Sequence, residues 1–392
     1  MGDAVIVAAA RTAIGTARRG TLVDVTAFEL AQWAVGEALA RSGVPGTDVD
    51  DLQMGEVLQG GGDIARFAAI ELGLTNVPGV AYNRHCASGM APVQSGAASI
   101  MAGMDDVVIA GGAESISSSP SAMKRIMGTD EMAPWMSPSH REAPDAPGLD
   151  MSITVGHNTA SAIGISREEM DEWAYRSHLR AVAATDEGRL QDEIFPIEVT
   201  RRDGSTTTFA VDEHPRRDTS LDKLGSLKAL HPEIEGFGIT AGNSSGLNDA
   251  GCALVLVDRD YADAHGLTPL ARIVSWASIG LLPRDTGLGP IYAIPKALAR
   301  AGMTVADVDL AEINEAFASV PIAACRELEL DPEITNVNGS GCSLGHPVAA
   351  TGARMIVTTM FELRRRGGGI GLASMCAGGG MGSATVFEVY PV

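Results

Sequence analysis

The chain has 392 residues, 45% of them hydrophobic and only 4% aromatic, with 46 glycines and a formal charge of −20 at pH 7. That length suggests two or three domains, or one duplicated unit with an insertion. The charge argues against a non-specific nucleic-acid binder and against a protein drawn to anionic membranes, though not against an anionic substrate met by local cations.

In chain order, the apolar run that begins at Ala4 ends at Arg11 and has no basic leader. It reads as a first strand, not as a signal peptide. Residues 38–43 complete a helix closed by Gly43, and Asp48-Val49-Asp50 leads into a strand. A short apolar segment precedes Tyr82–Met90, and Val93, Ala97, Ile100, Met101 and Met104 follow at helical spacing. Asp106–Gly112 reads as a buried strand. Residues 119–150, rich in Pro, Ser and Met, read as irregular loops. Ser166-Arg167-Glu168-Glu169 is a capping box opening a helix with Met170, Trp173, Ser177 and Ala181 on one face. Strand character returns over 240–260, a helix over 348–364 and a strand over 370–375. No stretch approaches the length of a membrane span.

The chain also repeats itself. Residues 38–50 (ALARSGVPGTDVD) and 297–309 (ALARAGMTVADVD) agree at eight of thirteen positions, at a constant offset of 259. Each copy is a helix ended by a glycine (Gly43, Gly302) with an acidic lead into a strand. Alternating strands and helices imply an α/β fold with mostly parallel sheets. The repeat implies two similar halves packed together, with about 120–240 inserted over one side.

Cys86 lies at a strand-to-helix turn, where free N–H groups and the helix dipole favour a nucleophilic thiolate. The competing reading is a small buried apolar side chain. His346 sits in a Gly-rich loop before a helix, the pattern that carries Cys86 in the first half. Symmetric halves would bring the two loops together and pair a cysteine with an activating imidazole. Cys376 ends a strand and opens Gly378-Gly379-Gly380, whose N–H groups can hold an oxyanion; a structural cysteine beside a tight turn is the alternative. Asn314 can position a water or a carbonyl oxygen, or merely cap a strand, and Glu315 can orient either group. Phosphate-loop and nucleophile-elbow motifs are absent. Cys342 and His346, four apart, lack a second pair for a metal site. Five cysteines without framework spacing fit reduced thiols in the cytoplasm.

Seven segments then carry a resemblance: VIVAAARTAIG (5–15), NRHCASGM (83–90), AGGAES (110–115), TAGNSSGLND (240–249), NEAFA (314–318), GHP (345–347) and CAGGGMG (376–382). With them the chain resembles the thiolases, acyltransferases that cleave or form 3-oxoacyl-CoA. The resemblance implies an αβαβα-layered core of two duplicated halves plus an inserted loop domain. The halves would be 1–119 with 240–268, and 269–392, with 120–239 covering the site. It implies that Cys86 carries the acyl group as a thioester, that His346 activates it and that Cys376 is the acid/base. Asn314, holding a water, would form one oxyanion hole with His346; the N–H groups of Cys86 and Gly378 would form the other. Arg216, Ser245 and Phe317 match positions that contact CoA or substrate. The family implies no metal and no permanently bound cofactor, coenzyme A being a co-substrate, and a homodimer or homotetramer. Residues 155–161 (VGHNTAS) depart from the usual pattern, as do Asp63, Ser340 and Ala349, which leaves the acyl chain length open. A ketosynthase-like enzyme of the same fold is the runner-up, opposed by Cys376. A non-catalytic acyl-CoA binder would not need the four catalytic positions present here.

Overall fold

A computed structural model describes residues 2–392. The first half runs β1 (Ala4–Arg11), α1 (Ala27–Ser42), β2 (Asp51–Gly55), α2 (Ile64–Glu71), β3 (Gly79–Tyr82), α3 (Met90–Met101) and β4 (Val107–Ser115). The chain then leaves the sheet for 132 residues, which include α4 (Arg167–Asp186), and returns as β5 (Asn248–Asp258). The second half runs β6 (Ala271–Gly280), α5 (Gly289–Ala301), β7 (Leu310–Ile313), α6 (Ser319–Leu328), α7 (Val348–Arg366), β8 (Gly369–Ala377) and β9 (Met381–Val389).

The repeated segments fold alike. Gly43 ends α1 at φ 71° and Gly302 ends α5 at φ 68°. A β-carbon at either would meet nothing, so glycine is required by the left-handed backbone and not by space. A short turn follows each cap, then β2 in one half and β7 in the other.

The strands form one sheet in the order β7-β8-β9-β6-β1-β5-β4-β2-β3, with Gly15–Thr16 added beside β5. The sheet is mixed. Pairing is parallel towards the two ends, β7 with β8 and β2 with both β4 and β3, and antiparallel in the middle. Helical crossovers produce the parallel pairs. β9 instead turns straight back from β8 through Gly378–Gly380, and β5 returns from the long excursion against β4.

Strands buried on both faces sort their residues by parity. Val5, Val107, Ile109, Val255 and Val257 face α1 and α2; Ile6, Val108, Leu254 and Leu256 face α3 and α7. A bulge between Ile6 and Ala8 resets that parity, which puts Val7 and Ala8 on the same side. On the far face of the second half, α5 and α6 supply Ile294, Leu298 and Ile322 against Leu372 and Val386. The result is five layers: helices, half-sheet, the central pair α3 and α7, half-sheet, helices. Each such aliphatic side chain stabilises the fold by roughly 1.5–3 kcal/mol on burial.

Elsewhere the expected elements shift modestly. α3 ends at Met101 and leaves Met104 exposed, while the Ser166 capping box opens α4 as read. Only 248–258 of the 240–260 segment is strand. The stretch expected to be irregular holds a hairpin, Ala122–Arg125 with Met132–Trp135. No helix is long and apolar enough to cross a membrane among the described residues.

Candidate active site

Cys86 stands in a tight turn between β3 and α3. Ala87 N–H bonds the Arg84 carbonyl at 3.1 Å, Ser88 N–H bonds that of His85 at 2.9 Å, and His85 takes φ 47°. The helix begins only at Met90, so the turn separates the sulfur from its N-terminus. The expected thiolate does not follow. Burial pushes the Cys86 thiol up and the nearby Glu114 adds to this, against the Gly378 N–H and its own N–H. Cys86 therefore rests as a thiol and requires a base.

His346 fits that requirement. It is buried, and its Nδ1 lies 2.7 Å from the Thr351 hydroxyl. That hydroxyl gives its one hydrogen to the Pro347 carbonyl at 2.8 Å, so it accepts from Nδ1–H. The lone pair is thereby placed on Nε2. Burial, with Arg354 second, lowers the imidazole to about 3, which keeps it neutral. The amide Nδ2 of Asn314 faces Nε2 at 3.5 Å. Asn314 Oδ1 is buried without a protein partner.

The loops that carry Cys86 and His346 meet because glycines let them. A β-carbon at Gly89 or Gly112 would collide with the Ala349 carbonyl oxygen, and one at Gly352 would stand 2.5 Å from Met90 N. The starts of α3 and α7 thus touch backbone to backbone, with Cys86 before one and His346 before the other. Glu114 fastens the junction. It accepts from Gln59 Nε2, Leu58 N–H and Ala349 N–H, and burial raises it to about 7.

Cys376 ends β8 at 1% exposure. Its thiol is pushed far up by burial and by the closeness of Cys86. Gly378 follows and directs its N–H at Cys86, and Gly380 N–H is held by Thr286 Oγ1 at 2.9 Å. The structure thus brings Cys86, Cys376 and Gly378 together on one side, and His346 with Asn314 on the other.

Glu315 does not orient these groups. It accepts from Trp173, Ser177, Asn336 and Cys342 N–H, so it ties α4 to the loop before His346. Cys342 is buried in that loop. Phe317 is almost buried and packs over Gly156, where a β-carbon would lie 2.9 Å from its ring. Residues 244–247 run beside it in extended form: Ser244 pairs with Phe317, Ser245 N–H bonds Ala316 O at 3.0 Å, and Leu247 pairs with His346. The His214 ring covers Gly246, and exposed Arg216 stands two residues on. Arg216 makes no side-chain ion pair among the described residues, whereas Arg11 at the end of β1 anchors the same loop through Asp212 at 2.8 and 2.9 Å. Arg216, Ser245 and Phe317 therefore share one rim leading to His346.

Three working residues escaped the sequence reading. Asn248 accepts from His346 N–H at 3.0 Å, and its side chain fills the space a β-carbon on Gly345 would need. Thr351 sets the tautomer and Glu114 the loop junction. Asn248 and Glu114 lie within motifs already singled out; nothing local distinguishes Thr351.

Comparison with known proteins gives a consistent picture. The model of the thiolase N-terminal domain matches residues 4–260, and that of the thiolase C-terminal domain matches 267–389. A beta-ketothiolase (BktB) of Cupriavidus necator is 42% identical, covering 98% of this chain and 99% of its own. A 3-ketoacyl-CoA thiolase of Bacillus subtilis is 40% identical over 99% of this chain and 100% of its own. Among solved structures, the acetyl-CoA acetyltransferase of Bacillus anthracis superposes with a TM-score of 0.91 at 40% identity, and human mitochondrial 3-ketoacyl-CoA thiolase with 0.88 at 35%; each covers 99% of both chains.

Proposed function

The chain belongs to the thiolase family, and from that premise we propose how its residues divide the work of an acyltransferase acting on acyl-CoA. In thiolysis, His346 Nε2 takes the Cys86 proton and the sulfur attacks the 3-oxo carbon. The N–H groups of Cys86 and Gly378 receive one developing oxyanion, and Asn314 with His346 the other. The carbon–carbon bond breaks, an acyl thioester remains on Cys86, and the departing enolate takes its proton from Cys376. CoA–SH, deprotonated by Cys376, then displaces Cys86. Condensation runs the same steps in reverse.

The observation that carries this assignment is the convergence of Cys86, Cys376 and the Gly378 N–H from opposite halves of the chain. High thiol pKa values suit it, because each sulfur holds a proton until a neighbour removes it. Arg216, Ser245 and Phe317 are read as the CoA rim, supported by their shared edge and the unpaired Arg216. We also read 1–119 with 240–268 and 269–392 as the halves, 120–239 as the cover, and a homodimer or homotetramer in the cytoplasm as the working form, serving 3-oxoacyl-CoA breakdown or synthesis. The exposed Met123, Met132 and Trp135 on the hairpin favour self-association.

The test is intact-protein mass spectrometry after mixing with acetoacetyl-CoA. An acetyl adduct on Cys86 that disappears when CoA is added supports the scheme, and folded protein that forms no adduct refutes it. Cys376→Ala should still take an acetyl group from acetyl-CoA while losing carbon–carbon cleavage; equal cleavage by this variant removes the role given to Cys376.

A further inference from the structure

The residue before the nucleophile has no part in the scheme above, yet it is held at a cost. His85 adopts φ 47°, a left-handed conformation that is uncommon outside glycine and strained by roughly 1–3 kcal/mol. Its N–H is held by Asn83 Oδ1 at 3.0 Å. The conformation lays the imidazole against Gly378: a β-carbon there would stand 3.5 Å from His85 Cγ and 3.8 Å from Nδ1. The ring therefore flanks the N–H that faces the reacting sulfur. It is half-buried, and neither ring nitrogen has a hydrogen-bond partner among the described residues.

A second imidazole arrives from the covering segment. Ser139 packs over Gly379, its carbonyl oxygen 3.1 Å from where a β-carbon would be. His140, next in the chain, is close enough to His85 that it adds to burial, the larger cause, in lowering the His85 imidazole and keeping it neutral. Its Nδ1 bonds Ser139 Oγ at 2.8 Å and its Nε2 the Ala146 carbonyl at 2.9 Å. The cover is pinned at this height: Asn158 donates to Asp145 O and Arg284 O, and Thr154 to Pro147 O. The departure at 155–161 thus contributes one of these pins. Three neighbouring charged groups are engaged elsewhere, while Arg141, beside His140, is exposed and makes no ion pair among the described residues. Glu142 accepts from Gly148 N–H, Arg84 turns to Gln94 and Ser278, and Glu114 is held by Gln59 and two backbone N–H groups.

An alkyl chain lying on this wall would strip water from an imidazole and return no hydrogen bond, a cost of about 1–3 kcal/mol. A carboxylate has the opposite effect. It accepts a hydrogen bond from the unpartnered His85 ring, while His140, both of whose nitrogens are already held, backs that ring. In a chain of formal charge −20 an anionic tail finds no general attraction, so a group that receives it must be local.

We propose that His85, with His140 behind it, selects 3-oxoacyl-CoA substrates whose acyl chain ends in a carboxylate. The proposal rests on the thiolase reading and names its substrate class. The chemistry is that of the scheme already given, and the carboxylate passes through unchanged: the products are acetyl-CoA and an acyl-CoA that retains its acid group.

The test compares two six-carbon substrates that differ only at the far end, 3-oxoadipyl-CoA and 3-oxohexanoyl-CoA. Wild-type protein should show kcat/KM at least tenfold higher for the acid. His85→Leu should lower that ratio tenfold or more. His85→Asn, which tolerates the left-handed backbone and keeps a polar group, should fall between and covers the case in which the leucine variant fails to fold. A merely structural His85 would move both substrates together and leave the ratio unchanged, which overturns the proposal. Cleavage of acetoacetyl-CoA without a wild-type preference for the acid overturns the proposal alone. Failure to cleave any of the three, with no adduct on Cys86, overturns the thiolase assignment and this proposal with it.

Discussion

Replacing Thr351 by Val removes one oxygen from a fully buried site and otherwise keeps the side chain's shape. That oxygen accepts from His346 Nδ1–H at 2.7 Å, and His346 is itself only 6% exposed, so water cannot substitute freely. Two responses are open to the ring. It can keep its proton on Nδ1 and bury an unsatisfied donor, at about 1–3 kcal/mol. Or it can move the proton to Nε2, where it can no longer accept from Cys86. Either way the base-competent form becomes scarcer, and at 1.4 kcal/mol per factor of ten the loss is about 10- to 100-fold. The assay is the single-turnover rate of Cys86 acylation by acetyl-CoA, followed by mass spectrometry of quenched samples. Thr351→Ser keeps the hydroxyl and should stay within a few-fold of wild type. Wild-type acylation by Thr351→Val would refute the tautomer argument and leave His346 without an assigned orientation.

Three further outcomes follow from the structure. Asp212→Ala takes from the buried Arg11 guanidinium one of its two carboxylate partners, Glu193 remaining at 2.7 Å, so unfolding free energy should fall by about 1.5–3 kcal/mol in a urea titration, and KM for CoA should rise because the same loop carries Arg216. Gly112→Ala drives a β-carbon into the Ala349 carbonyl, so acylation of Cys86 should be nearly abolished even in protein that stays folded by circular dichroism. Stability should also fall as pH drops from 6.5 towards 4. His346 and His178, at about 3, and His214, at about 4, refuse protons that the unfolded chain binds below about 6.5, while native Glu114, at about 7, keeps one that the unfolded chain releases. Three protons against one leave a slope of up to about 2.7 kcal/mol per pH unit. Urea midpoints that stay flat between pH 6.5 and 5 would contradict these burial effects.

Most of what places the site was legible before the fold. Gly43 and Gly302 announce two like halves because a left-handed cap leaves a mark in the sequence, and the halves put Cys86 and His346 at equivalent turns. Thiol acidity was misjudged, because a helix start is a local pattern and burial is not; the desolvation of Cys86 comes from segments far along the chain. The antiparallel centre of the sheet was hidden for a related reason. Alternating strands and helices imply crossovers, but nothing in β5 reveals that it pairs with β4 across 132 intervening residues. Thr351 and Asn248 went unassigned since each works through one hydrogen bond to a partner no periodicity identifies. Glu315 shows the reverse error: a carboxylate beside Asn314 looked chemical and proves to be a four-way structural tie.

The seam between the halves has a consequence for how activity depends on connectivity. β1 and β6 pair at only two positions, Val5 with Arg272 and Ile6 with Ala271, and the chain crosses between the halves through exposed residues 263–266. The firm joint is the packing of α7 on α3 and on β4 and β5 of the first half, which no covalent link enforces. A chain cut at that crossing would separate Cys86 from Asn314, His346 and Cys376, and neither piece would hold a working set. Turnover would then become second order in the two fragments, rising with their concentrations until the helices dock, so catalysis itself would report the affinity of one half for the other.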